Sequence, residues 1–170
     1  MKQKGFTLIE LLVVISIIGL LASIVLVSLN SARSKSRNSK RNANIQQLKT
    51  AFNMAADANN GIFVTTSTWA CVSISCSGGF VTYVANPTVD AFFTPYISAK
   101  PEDPADSRRS SGGYLYYSSW AGATGTDGFF AAGPYLYWML EPATIAPGVC
   151  GPGRVYRSGT NFVRCMLKLN

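Results

Sequence analysis

The 170-residue chain contains no histidine. That absence excludes Ser-His and Cys-His catalytic arrangements and most catalytic zinc sites. Acid is scarce, with eight Asp and Glu against fifteen Lys and Arg, and no glycine-rich phosphate-cradling motif is present. The residues assemble no constellation that carries enzyme chemistry or holds a cofactor. Proline is missing until Pro87, so nothing in the first half forces a helix to stop. Cysteine is limited to Cys71, Cys76, Cys150 and Cys165. Four cysteines allow three connectivities. Short loops favour Cys71 with Cys76 and Cys150 with Cys165, as expected of an exported domain, while a four-thiolate zinc site and free buried thiols stand as alternatives. The net charge of +7 permits contact with nucleic acid or anionic lipid without requiring it.

What the sequence has in abundance is an apolar run at positions 6–29, charged only at Glu10. As a helix, its 24 residues extend about 36 Å, enough to cross a hydrocarbon core of about 30 Å. The run is longer than the apolar region of a secretory signal peptide, about 7 to 15 residues. A plain signal anchor explains its length and the preceding Lys2 and Lys4, but not Glu10. An ionised carboxylate in lipid costs several kcal/mol without a partner, and no other residue in the run is basic. A cut between Gly5 and Phe6 would create a new amino group that Glu10 of a neighbouring helix could meet.

These residues carry a resemblance. The stretch KGFTLIELLVVISIIGLLASI resembles the class III leader and transmembrane segment of type IV prepilins and of type II secretion pseudopilins. The resemblance implies that a membrane-embedded aspartyl prepilin peptidase removes residues 1–5 after Gly5 and methylates the Phe6 amine. It also implies that Glu10 pairs with the amino terminus of an adjacent subunit during assembly. Many members of that family carry a proline late in the span; here none is present, and Gly19 is the one weak helix former.

Beyond the span, SARSKSRNSKRNANIQQLKTAFNMAADANNG predicts that one helix continues from about residue 6 to about residue 59, ended by Asn59-Asn60-Gly61. Ile45, Leu48, Phe52 and Ala55 form an apolar stripe, whereas residues 31–44 have none, so a head is expected to dock on the later part alone. Arg33, Arg37, Lys40 and Arg41 fall within about 100° of one another on the helix, with Lys35 opposite. This basic face suits solvent or lipid headgroups first, subunit pairing second, and DNA only weakly, because no aromatics are interleaved. Five positives after the span against two before it would place the carboxyl side in the cytoplasm, opposite to what the resemblance requires.

Residues 61–170 read as a β-rich head. Strands are predicted at 62–66, 80–85, 114–119, 129–132, 135–140 and 162–169, and a short helix at 88–97, capped by Thr88 and interrupted by Pro95. The fold class is α+β and pilin-like, with the stripe of the long helix covering one apolar face of an antiparallel sheet. Two stretches, KPEDPADSRRSSGGYLYYSS and YLYWMLEP, resemble pilin heads more loosely than the leader does. Tyr114, Tyr116, Tyr117, Trp120, Tyr135, Tyr137 and Trp138 are read as core and cross-strand pairs before a ligand surface. Asp103, Asp106 and Asp127 are too scattered for a calcium loop, and no metal is expected.

The organisation is therefore a leader at 1–5, an assembly and membrane half-helix at 6–29, an exposed amphipathic half at 30–60, and a head with two disulfide loops. The expected function is a structural subunit of a type IV pilus-like filament. A type II secretion pseudopilin and a monomeric signal-anchored binding protein are the alternatives. The implied partners are further copies in a helical filament, the prepilin peptidase, an assembly platform with minor pilins, and the inner membrane before assembly. The head would lie outside the cytoplasm, then in a surface filament or periplasmic pseudopilus.

Overall fold

The computed structural model describes residues 5–80, 82–104, 111–141, 147–160 and 162–170. The chain divides into two compact units, Met1–Ser36 and Arg37–Asn170. The first helix, α1, is Leu8–Ala58. With no proline in it and Gly19 as its one glycine, the backbone has no interior reason to stop. It closes with Asn60 and Gly61 in the left-handed region, at φ of 58° and 79°. The Gly61 amide donates to the Ala56 carbonyl at 2.8 Å, the long return bond that satisfies a helix end.

The elements that follow in the second unit are β1 (Ala70–Cys71), β2 (Ser77–Gly78), α2 (Pro87–Phe93), a 3-10 turn at Thr94–Tyr96, β3 (Ser111–Gly112), β4 (Tyr114–Trp120), β5 (Ala123–Gly125), β6 (Gly128–Phe130), β7 (Gly133–Leu140), β8 (Arg154–Gly159) and β9 (Phe162–Lys168). The main sheet runs β1-β4-β7-β9-β8, and each neighbouring pair in it is antiparallel. Strands β2 with β3 and β5 with β6 make two small ribbons.

The strands expected at 114–119, 135–140 and 162–169 form, and 129–132 appears one residue earlier as β6. Two expected strands do not form among the described residues. Segment 62–66 is held by side-chain bonds in place of a ladder: the Thr66 amide donates to Ser118 Oγ and the Tyr116 hydroxyl to the Val64 carbonyl. Around 80–85, of which residue 81 lies outside the described set, the chain turns at Phe80 and Tyr83 and makes one bridge, Cys71 with Ala85. The cap of α2 is Asn86, not Thr88. Its Oδ1 accepts from the Thr88 and Val89 amides at 3.0 and 3.3 Å, and Pro87 in the first turn has no amide needing a partner.

Alternation along β4, β7 and β9 sends side chains to two cores. On the α1 side, Tyr116, Leu136, Trp138 and Cys165 pack with Ile45, Leu48 and Phe52. Phe52 stacks on Tyr116 at 4.5 Å and on Phe93 at 4.9 Å between ring centres. On the other side, Leu115, Tyr137, Met139 and Met166 meet Phe80 and Phe130, with Trp69 and Trp120 packed against them. Both faces of the sheet are therefore covered, where the sequence led us to expect one. The seven aromatics divide accordingly: Tyr114, Tyr116 and Trp138 lie in the first core and Tyr135 and Tyr137 in the second, with Trp120 packed on it and Tyr117 beside Trp69.

Gly113, at φ of 106°, joins β3 to β4 beside a disulfide. A Cβ there would lie 2.6 Å from Cys76 Sγ and 2.9 Å from the Ser75 carbonyl oxygen. Gly113→Ala is expected to destabilise the chain by about 1–3 kcal/mol, from overpacking in an unfavourable backbone region. Thermal unfolding of the full chain in detergent checks this, and an unchanged midpoint would refute it.

Candidate functional site

The amino-terminal site begins at Gly5 and Phe6, both exposed. Thr7 caps α1. Its amide and hydroxyl donate to Glu10 Oε2 at 2.9 and 2.6 Å, and the Glu10 amide donates back to Thr7 Oγ1 at 3.3 Å. This is a reciprocal capping box. The sequence reading sought a partner for Glu10 on another chain and passed over the Thr-x-x-Glu spacing that supplies a local one. Among the described residues only Oε2 of the carboxylate is engaged. Oε1 keeps its acceptor sites.

From Phe6 to the end of the apolar run the described large side chains are exposed, including Leu8 and Ile9 at 80 and 70 %. The two serines in the span turn inward on their own helix, Ser16 to the Val13 carbonyl at 2.8 Å and Ser23 to the Leu20 carbonyl at 2.7 Å. α1 is long and apolar enough to cross a membrane. An apolar surface of this size needs lipid or other apolar helices around it.

The basic face of α1 divides. Arg33 and Lys40 are exposed, as a solvated face requires, but Arg41 is fully buried and Arg37 largely so. Arg41 Nη1 donates to Glu141 Oε1 at 2.8 Å and to Asn38 Oδ1 at 2.7 Å, Nε to Asp103 Oδ1 at 2.7 Å, and Nη2 to the Pro104 carbonyl at 2.7 Å. Arg37 grips both oxygens of Glu141 through Nε and Nη2. Asn44 donates to the Tyr114 hydroxyl at 2.8 Å and the Glu102 carbonyl at 3.1 Å, and Asn42 accepts from the Trp138 indole at 3.2 Å. Two of the four residues expected to meet solvent, headgroups or DNA thus serve internal pairing. The docking surface on α1 includes a polar collar from Arg37 to Asn44 above the apolar stripe, where none was expected. Its acids lie 62 to 104 residues away in sequence, so helical periodicity carried no sign of it.

The disulfides are Cys71–Cys76 and Cys150–Cys165, the pairing favoured from the sequence, which removes the thiolate-zinc and free-thiol alternatives. Of the acids weighed for calcium, the two that are described are engaged in separate bonds. Asp103 is occupied by Arg41 and the Gly113 amide, and Asp127 accepts from the Val155 amide. Asp106 lies outside the described residues, as do Lys2 and Lys4 of the leader.

Residues 1–26 match the family model described as "Prokaryotic N-terminal methylation motif". The chain is 45 % identical over 53 residues to the type II secretion system core protein G of Escherichia coli (strain K12), covering 31 % of this chain and 37 % of that protein. It is 47 % identical over 53 residues to a type IV major alpha-pilin of Moraxella bovis, covering 31 % of this chain and 33 % of that one. Both matches thus span about a third of the relatives' length. A match to core protein G of Klebsiella michiganensis goes further, at 31 % identity over 138 residues, 74 % of this chain and 89 % of that protein. No solved structure matches the chain.

Proposed function

Because the chain belongs to the prepilin and pseudopilin family, we propose that it is cut between Gly5 and Phe6, methylated on Phe6, and polymerised through α1 into a type IV pilus-like filament. It is a pilin-like filament subunit, and its work is assembly. The observation that carries the finer reading is the state of Glu10. One carboxylate oxygen is committed to the Thr7 cap, and the other keeps acceptor capacity at the end of an exposed apolar helix. The Phe6 ammonium of a neighbouring subunit is opposite in charge to this carboxylate and is a donor for its Oε1. Exported apolar helices then pack on one another, with heads outward. The precursor waits in the inner membrane, where a prepilin peptidase and an assembly platform with minor pilins act on it.

The intact mass and amino-terminal peptide of protein from native cells test the processing step. A chain beginning at methylated Phe6 supports it, and one still beginning at Met1 refutes it. Substitution at Glu10 separates its two roles. Glu10→Gln retains an oxygen for the Thr7 cap but loses the charge. Cleavage is expected to persist while fibre yield falls roughly tenfold or more, since an unpaired ammonium in lipid costs several kcal/mol. Normal fibres from Glu10→Gln would reduce Glu10 to a helix cap.

A second reading, the pseudopilus of a type II secretion system, is favoured by the match to protein G that covers 74 % of the chain and so reaches into the head. The two disulfides favour a fibre exposed outside the cell, where a small head needs covalent support. Fibres sheared from the cell surface support the first reading. A secretion defect on deletion, with fibres seen only on overexpression, supports the second.

A further inference from the structure

On the sheet face away from α1, a cavity of about 350 Å³ opens among the rings of Trp69, Tyr83, Trp120, Tyr137 and Tyr156 and the guanidinium of Arg164. Its aromatic walls are crossed. Trp69 meets Trp120 at 53° and Tyr137 at 55°, and Trp120 meets Tyr156 at 85°, with ring centres 5.4 to 5.8 Å apart. Two donors in this lining, Trp120 Nε1 and Arg164 Nε, are buried and have no acceptor among the described residues. A buried donor without a partner costs about 1–3 kcal/mol, so an arriving acceptor gains that much more. Arg164 is held in place over the Phe162 ring, 4.7 Å from its centre. Among the described residues no carboxylate lines the cavity, and a second guanidinium, that of Arg157, stands 5.5 Å from the centre of the Tyr156 ring.

We propose that this cavity binds a pyranose ring bearing a carboxylate, an acidic-sugar unit of a polysaccharide. A pyranose presents C–H groups on both faces, which pack on aromatic rings, and oxygens around its edge, which accept from N–H donors. Crossed walls fit that shape. A nucleobase needs a flat platform or a slot with parallel sides, and these rings offer neither. The anionic group answers the Arg164 guanidinium in the lining, with no acid among the described lining residues to repel it. Burial raises the Tyr137 phenol to about 12, with Arg164 the leading opposing influence, so the hydroxyl remains a neutral donor at ordinary pH.

Titrating the full chain in detergent micelles with tetragalacturonate, cellotetraose and the single-stranded oligonucleotide dT12 tests this, read by calorimetry and tryptophan fluorescence. Trp138 lies in the other core and gives a constant background. Tetragalacturonate is expected to bind saturably and more tightly than cellotetraose. Trp120→Phe keeps the ring and deletes one orphaned donor, and Arg164→Lys keeps the charge and deletes the other. Each is expected to weaken tetragalacturonate about tenfold, the worth of a hydrogen bond made by a buried donor. The proposal is overturned if the acidic and neutral sugars bind alike, if neither sugar binds, if dT12 alone saturates, or if both folded variants bind as the parent does. Should a variant fail to fold, the comparison of acidic with neutral sugar on the parent chain still decides.

Discussion

Glu141→Ala is expected to lower the unfolding free energy of the chain by about 3–5 kcal/mol, the cost of removing one member from a buried ion-pair network. Glu141 is fully buried and answers two guanidiniums at once, Arg37 and Arg41. Asp103 also pairs with Arg41, but on a different nitrogen, and it cannot reach across to replace Glu141 while it accepts from the Gly113 amide. Asn38 keeps both donors to its Oδ1, Arg41 and the backbone amide of position 141, so the loss falls on the two guanidiniums. Chemical denaturation at constant m-value measures the effect. Lys40→Ala, on the exposed part of the same face, is the control and is expected to change stability by less than about 0.5 kcal/mol. Equal effects at the two positions would mean that the collar contributes nothing particular.

Replacing both Cys150 and Cys165 by serine is the second large effect. In the loop-entropy picture, a 15-residue closure stabilises by about 3 kcal/mol, and the five-residue closure of Cys71–Cys76 by roughly 2 kcal/mol. The longer bridge ties the last strand of the sheet to the turn that enters β8, and Cys165 already faces Val155 across the β8–β9 pair. Losing the bridge should loosen β8, the edge strand of the main sheet, whose outer side meets a turn, at the Thr126 and Asp127 amides, and no further strand of that sheet. Amide exchange after selective reduction reads this directly. Faster exchange in β8 than in β4 is expected, and uniform exchange across the sheet would count against the arrangement.

The long helix was legible because its evidence is local: absence of proline, an apolar run, then a stripe at helical spacing, then Asn-Asn-Gly. The strands at 114–120, 133–140 and 162–168 were legible through their aromatic and aliphatic runs. Strand β8 was not. Its sequence, RVYRSG, has the composition of a loop, and its half-exposed edge position tolerates that. The collar was illegible for a different reason. Arg37 and Arg41 declare a charge but not a partner, and Asp103 and Glu141 are brought to them by the sheet. Thr7 and Glu10 were fully visible as a capping pair and were missed because the carboxylate was read for what it might meet elsewhere.

The collar also decides how the second unit bears force. An apolar stripe is greasy: sliding the sheet by one helical turn along Ile45, Leu48 and Phe52 would keep much of that surface dry. The same slide would carry Arg41 away from Asp103 and Glu141 and break the directional bonds it makes to both. Directional bonds therefore index the head to one position along the helix. A pull along a fibre would meet an abrupt yield point instead of gradual creep, and the subunit would hold its length until the joint failed all at once.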